Sequence, residues 1–390
     1  ITMARRIATG IDIGTHQTKV VVVEEVSTPE GMTLKILGTG LSETRGMRHG
    51  YVVDVEDAAQ SVRLARAQAE SIAHVPIKKG FLAIGGVSLD EVRATGETVI
   101  SRADQEITDL DIEKTLDAAR EAARPGFLNR TVLHEIPLEY RVDGHLSLGE
   151  PTGMRGTRLS ADYLFITCLT QHSDVLIRTA EAADIEIIDR MASPLAGSYV
   201  TLTKDQKMKG CVLANIGAET VSIVVYDEGL PISVKVFPIG STNITDDLAL
   251  GFKISLEDAE RLKLGHLGGT MYPKKKIEEI VVARYRTMFD LIDKHLKALG
   301  KRGSLPAGII ISGGASGQGT ISDIAKGALN LPSRIADVRI TDDTKIKDAT
   351  WAVAYGLALW GLTGDTETPK KRPAGAFIET ASRFLRQFLP

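Results

Sequence analysis

Two short turns hold the residues best suited to chemistry. The first reads Asp12-Ile13-Gly14-Thr15-His16-Gln17-Thr18-Lys19 and is rich in small and hydroxyl residues. Gly14 permits a positive φ and lets a phosphate come close to the backbone. Exposed N–H groups and the Thr15 and Thr18 hydroxyls can then hold phosphate oxygens. Asp12, at a strand end, can hold Mg²⁺ through water, because that ion usually keeps several waters. By itself the stretch reads equally well as a plain hairpin turn with a solvated aspartate. The second turn, Asn215-Ile216-Gly217-Ala218-Glu219-Thr220, repeats the first. A shift of 203 residues carries Asp12-Ile13-Gly14 onto Asn215-Ile216-Gly217, and Val21 and Val22 onto Val224 and Val225. Two such loops facing each other would clamp a nucleotide. A third stretch, Ile309-Ile310-Ile311-Ser312-Gly313-Gly314-Ala315, is an apolar strand running into a double glycine. Such a turn lets backbone pass against a flat base or ribose; it also suits an ordinary strand–helix connection.

These turns need a scaffold, and the chain supplies it twice. Residues 6–13 and 19–24 read as a hairpin, 34–40 as a third strand and 55–73 as a long helix. The apolar positions Val62, Ala65, Ala69 and Ile72 share one face of that helix. A short buried strand is expected at 81–84. A small module follows over 85–162, with a strand at 93–101, a helix at 109–122 capped by Asp109 or Asp111, and a strand at 131–141. A strand at 163–169, a helix at 174–183, a strand at 185–188 and a helix at 193–203 close the first half. The second half opens with strands at 211–216, 221–226 and 230–238. Helices at 241–251, 256–264 and 274–299, a strand at 308–312 and helices at 321–328 and 349–361 follow. Both halves start in a β-β-β-helix-β-helix order. That predicts a duplicated α/β fold with a cleft between the copies.

The composition is that of an ordinary folded protein: 43% hydrophobic and 25% charged over 390 residues, enough for two or three domains. A net charge of −3 gives no global attraction for nucleic acid. Cys168 and Cys211 stand apart with no metal or redox spacing, and the eight histidines show no zinc-ligand pair. No apolar run approaches the ~20 residues needed to span a bilayer. The opening ITMARRIATGIDIG enters a strand and does not read as a signal peptide.

After a polar, proline-containing stretch at 363–373, residues 374–390 read AGAFIETASRFLRQFLP. Phe377, Ile378, Ala381, Phe384, Leu385, Phe388 and Leu389 fall on one helical face, with Glu379, Thr380, Arg383, Arg386 and Gln387 opposite. The expectation is an amphipathic helix lying on a membrane. Phe377, Ile378, Phe384, Leu385, Phe388 and Leu389 would enter it, and Arg383 and Arg386 would face anionic headgroups. A helix docked on a partner or on its own domain is the other reading.

Two phosphate hairpins and a later strand-Gly-Gly turn resemble the actin/Hsp70/sugar-kinase superfamily. Within it the chain resembles the FtsA family of actin-like cell-division proteins, almost from end to end. TVLHEIPLEYRVDG and EPTGMRGTRL resemble that family's inserted subdomain, 1C. IGSTNITDDLALGFKISLEDAERLK resembles its 2A–2B junction, and the tail its membrane-targeting helix. The resemblance implies subdomain 1A at 1–84 and 163–192, 1C at 85–162, 2A at 193–240 and 306–362, 2B at 241–305, a linker at 363–373 and the targeting helix at 374–390. It implies ATP and Mg²⁺ as ligands. Asp12, Gly14, Thr15, Gln17, Thr18 and Lys19 would form the first phosphate loop, with Asp12 reaching metal through water. Gly217, Ala218, Glu219 and Thr220 would form the second. Gly240, Ser241 and Asn243 would approach the phosphates. Glu260 and Lys263, one helical turn apart, would face the adenosine; a surface ion pair is the bland alternative. Gly313, Gly314 and Ala315 would complete the pocket.

The implied partners are the C-terminal tail of FtsZ, further copies of the chain in a filament, anionic lipids, and other division proteins through 1C. The implied location is the cytoplasmic face of the inner membrane at the division site. Arg284 and Lys275 are the candidate contacts for the acidic FtsZ tail. One departure stands out. The family's second loop usually reads Asp-Ile-Gly-Gly-Gly-Thr; here Asn215 lacks the carboxylate and Glu219 brings a negative charge towards phosphate. Slow or negligible ATP turnover is therefore expected, unless Asp247 or Glu219 compensates. Three other classes fit less well. An actin-like protein of type IV pilus assembly would lack the tail. A sugar kinase would need a base and a sugar pocket. A chaperone would carry a substrate-binding β domain.

Overall fold

The structure is a computed structural model; it describes residues 5–28, 31–266, 272–314, 320–341, 344–346 and 348–363. The expected tail helix and Ala315 lie outside those residues.

Each half is built on a five-stranded sheet, and the two sheets have the same order. In the first it runs Gly31–Glu43, Gln17–Thr28, Arg6–Ile13, Lys79–Ile84, Glu186–Ala192. In the second it runs Leu230–Phe237, Val221–Asp227, Cys211–Ile216, Ile309–Ser312, Ser333–Ile335. The opening hairpin is antiparallel in both copies, and the next two strands are parallel to it. Even the register repeats. Asp12 pairs with Lys19, and Asn215 with Ser222 (215 − 12 = 222 − 19 = 203). Val20 to Val23 are fully buried because the sheet is covered on both faces, which explains an unbroken apolar run instead of alternation.

Helices Ser193–Thr201 and Ala352–Thr363 run between the sheets. The second is apolar on all sides, as a helix with no solvent face must be. Glycines let these elements touch backbone to backbone. A Cβ on Gly356 would lie 1.8 Å from the Ala196 carbonyl oxygen, and one on Gly10 would lie 2.0 Å from that of Ala354. One apolar core therefore joins Val20–Val23 of the first sheet to Leu213, Val224 and Ile310 of the second. Helix Val55–Ala73 covers the outer face of the first sheet, where Gly38 and Gly40 receive Ala65, Ala69 and Ala73. Ile72, expected on that buried face, is half exposed (51%), whereas Val62, Ala65 and Ala69 are fully buried. Helices Thr242–Phe252, Lys274–Ala298 and Ile321–Leu329 enclose a second core against the far face of the second sheet.

The small module is an antiparallel sheet, ordered Asp90–Val99, Arg158–Leu169, Arg130–Val142, His145–Ser147, backed by helix Asp109–Ala123. The expected boundary at 162/163 falls inside the strand Arg158–Leu169. That strand pairs with both neighbours along its length, so its two ends cannot belong to separate units. The helix cap is also corrected. Thr108 is the N-cap residue, and Asp111 closes a capping box by accepting from the Thr108 N–H at 3.0 Å.

The glycine contacts give a direct test. Gly356→Ala is expected to destabilise the chain by about 1–3 kcal/mol in urea unfolding, because its methyl overlaps Ala196. Gly327→Ala, at an exposed position of its helix with nothing within 4 Å of the added Cβ, is expected to stabilise it by up to about 1 kcal/mol.

Candidate functional site: a cleft between two phosphate-type turns

Both opening hairpins close with the same backbone bond. The Gly14 N–H donates to Gln17 O at 3.1 Å, and the Gly217 N–H donates to Thr220 O at 2.9 Å. Neither glycine has a positive φ, contrary to the expectation for Gly14. The need is for space instead: a Cβ on Gly14 would lie 2.8 Å from Gln17 O. The positive φ occurs at Gly313 (93°), where a Cβ would lie 2.4 Å from both Asn215 Oδ1 and Ile216 O. The strand-Gly-Gly turn is thus fitted against the base of the second loop.

Of the residues expected from sequence, Asp12, Gly14, Thr15, Gln17, Lys19, Gly217, Ala218, Thr220, Ser241, Glu260, Lys263, Gly313 and Gly314 line one cleft between the halves. Four described residues do not. Thr18 is buried and shares a hydroxyl–hydroxyl hydrogen bond with Thr44 (2.8 Å), because strand alternation turns it away from its neighbours Gln17 and Lys19. Gly240 and Asn243 stand behind the second loop. A Cβ on Gly240 would lie 2.3 Å from Ala218 O, and Asn243 Oδ1 accepts the Gly240 N–H at 3.0 Å. Glu219 turns out of the cleft and accepts a hydrogen bond from the His49 N–H. Asp247 offers no compensating carboxylate: Arg284 holds it in a bidentate pair at 2.6 and 2.7 Å. That same pair occupies the Arg284 guanidinium, while Lys275 stands exposed in the first turn of its helix.

Two charged groups face each other at the floor. Asp12 and Lys19 are cross-strand partners. Burial pushes the Asp12 carboxyl above its usual range, against the pull of Lys19. Burial pushes the Lys19 amine below its usual range, against the pull of Asp12 and Asp348. Each charge is under-solvated, which is the condition under which an added ligand of suitable charge is most strongly felt. The carboxylate of Asp12, with water and phosphate oxygens, suits a hard cation such as Mg²⁺. Among the described residues no three His, Cys, Asp or Glu side chains converge on one point, so a bound cation there would draw most of its oxygens from water and ligand.

Lys263 crosses one wall. Its ammonium lies 2.6 Å from Glu260 Oε2 and donates to Thr245 Oγ1 (2.9 Å) and Ser241 O (3.3 Å). Its side chain is 8% exposed and that of Glu260 43%, so the pair is buried at its lysine end and open at its carboxylate end. Burial raises the Glu260 carboxyl, but hydrogen bonds from Lys263 and Thr245 and the charge of Lys263 and His16 outweigh it, and the net shift is downward.

The sequence reading missed several lining groups, among them Gly50, Gly85, Gly86, Asp348 and Thr350. One signal was present. Ile84-Gly85-Gly86 ends the parallel strand of the first half as Ser312-Gly313-Gly314 ends that of the second. Asp348 has no such signal; it caps a short 3-10 turn through the Thr350 N–H at 2.9 Å.

Comparison with known proteins agrees with this architecture. The family model "Cell division protein FtsA" matches residues 212–356, and "SHS2 domain inserted in FTSA" matches residues 89–167. The chain is 29% identical to the cell-division protein FtsA of Pseudomonas aeruginosa over 377 residues, covering 90% of this chain and 88% of that protein. It is likewise 29% identical to FtsA of Escherichia coli K12 over 419 aligned positions, covering 98% of both. The chain is similar to the FtsA family over most of its length. The SHS2 match coincides with the small antiparallel module, and it runs past the expected boundary at 162/163 to residue 167, two residues short of the end of the strand Arg158–Leu169. The FtsA-type fold also extends to solved actin-like structures. A PilM–PilN type IV pilus biogenesis complex superposes with a TM-score of 0.68 at 17% identity, covering 91% of this chain and 98% of that one. MreB5 of Spiroplasma citri bound to ADP superposes with a TM-score of 0.50 at 12% identity, covering 91% and 96%. The duplicated actin-like α/β fold with an inserted module is therefore the fold of this chain.

The charge pairing at the floor can be tested without a ligand. A positive neighbour favours the ionised carboxylate, so removing it makes the proton harder to lose. Lys19→Met is expected to move the Asp12 titration midpoint further up, read by carboxyl-carbon NMR. A midpoint that falls or stays would show that the two groups are not coupled.

Proposed function

We propose that this FtsA-like chain binds ATP·Mg²⁺ in the cleft and acts as an assembling membrane anchor for FtsZ. The observation that carries the reading is the pair of turns. Two loops of equal geometry, 203 residues apart (217 − 14), open onto one cleft, with Lys263 and the Gly313 turn beside them. In this reading the phosphates lie between the Thr15 and Thr220 turns, and the cation supplies charge neutralisation near Asp12. Glu260 and Lys263 face the adenosine, and the glycines at 313 and 314 admit its flat face. Asp12 holds the cation through water, and Lys19 favours the ionised form of that carboxylate against its burial.

Turnover is slow in this proposal. Asn215 occupies the strand position equivalent to Asp12 and has an amide where a carboxylate would orient water, and the Glu219 side chain is directed elsewhere. The nucleotide then fixes the cleft and, through it, the contacts between copies in a filament. We assign subdomain 1A to the first sheet, 1C to the inserted module, 2A to the second sheet and 2B to the helices at 241–305. Subdomain 1C receives other division proteins. Lys275, and Arg284 if it is released from Asp247, receive the acidic FtsZ tail. Residues 374–390 bind anionic lipid at the inner face of the membrane, and filament formation multiplies that weak affinity.

Two measurements check this reading. Lys263→Ala is expected to weaken ATP binding by roughly tenfold or more, since it removes a largely buried charged donor. Wild-type turnover should stay near background; fast hydrolysis abolished by Asp12→Ala would contradict the proposed role. Separately, the chain and FtsZ are expected to co-sediment with anionic liposomes, and deletion of residues 374–390 is expected to leave both in the supernatant. Retention of the truncated chain on liposomes would remove the tail from the account.

A further inference from the structure

Glu219 brings a negative charge to a loop that faces phosphate, and its carboxylate is engaged elsewhere. A small ribbon, Met47–Arg48 with Tyr51–Val52, turns at His49 and Gly50, both in the left-handed region (φ 49° and 81°). The two amides of this turn reach different halves of the molecule. The Gly50 N–H donates to Thr15 Oγ1 of the first loop at 3.0 Å. The His49 N–H donates to Glu219 Oε2 of the second loop, and His49 Nδ1 lies 3.8 Å from the same oxygen. The ribbon is fixed to the first half. A Cβ on Gly50 would lie 2.4 Å from Gly86 Cα, and the Tyr51 ring meets His172 edge-on. His172 is itself held at Gly85 O, 3.0 Å away. The first half therefore grips the rim of the second through a charged acceptor whose side chain is only 21% exposed, where such a bond is stronger than in open water.

We propose that Glu219 and the His49–Gly50 turn form a latch between the two halves at the rim of the cleft. The latch holds the two halves together without nucleotide and slows nucleotide release. Separating the halves must break the His49–Glu219 bond, whereas the Gly50–Thr15 bond stays within the first half. Glu219 is a positioning residue: its side chain is directed away from the cleft, and it acts through the turn that it holds.

The test uses the full chain in two arms. The first needs no nucleotide. Hydrogen–deuterium exchange is compared for the wild type, Glu219→Ala and Glu219→Gln. In Glu219→Ala the amides of residues 46–52 are expected to exchange about tenfold faster, with the inserted strand at 158–169 unchanged. Glu219→Gln keeps an acceptor oxygen and is expected to recover most of the protection. No change at 46–52, or an equal rise at 158–169, would overturn the latch; so would Glu219→Gln behaving like Glu219→Ala. The second arm rests on the ATP-binding reading. Release of a fluorescent ATP analogue is expected to be several-fold faster from Glu219→Ala. Unchanged release beside faster exchange would overturn the claim about nucleotide. An analogue that fails to bind even the wild type would sink the ATP-binding reading, while the exchange rates of the first arm would still decide the latch.

Discussion

The spacing of the two sheets depends on a contact with no room to spare. Gly356 of one central helix lies against Ala196 of the other, and Gly10 of the first sheet lies against Ala354 and Ala358. Any side chain at those glycines would overlap backbone. The helices therefore act as a thin, apolar partition that joins both halves into one core. Close-packed interiors resist gradual deformation. The bases of the two hairpins are consequently held close together, while the rims above them, at His49 and Glu219, depend on a contact of their own.

That constraint explains why the chemistry sits where it does. The hairpin turns emerge from the central strands of each sheet, the part most firmly held by the partition. Asp12 and Lys19 are carried on the first of these, and burial works against both charges. The copy in the second half lacks this pair: its equivalents are Asn215 and Ser222. The duplicated fold is symmetric in its backbone and asymmetric in its charge. One half presents a carboxylate and an amine, and the other presents an amide, backbone groups and the Lys263–Glu260 wall. An asymmetric ligand such as a nucleotide with its cation fits that arrangement better than a symmetric one.

The fold was largely legible in the sequence because its signals are local. The helix Val55–Ala73 and the strand Cys211–Ile216 have the bounds that periodicity suggests. The repeat at 203 residues survives in the pairing register itself. What was not legible is set by contacts between distant segments. The ribbon at 47–52 is too short to show a period, so the Glu219 acceptor had no visible partner. Asp348 enters the cleft from just before an apolar helix, and nothing in its neighbours marks it. Gly14 looked like a conformational need and is a steric one. Arg284 looked like a free cation on a surface helix and is held by Asp247 from another helix. The strand at 158–169 was divided at 162/163 because its apolar run strengthens only from Tyr163, while its pairing starts at Arg158.

The central claim is that the two turns make one nucleotide site between them. Isothermal titration of the full chain with ATP and Mg²⁺ tests it most directly. The account predicts one nucleotide bound per chain, and that binding should be lost when either the Thr15 or the Thr220 turn is disrupted. Two nucleotides per chain, or one that survives disruption of either turn, would contradict it.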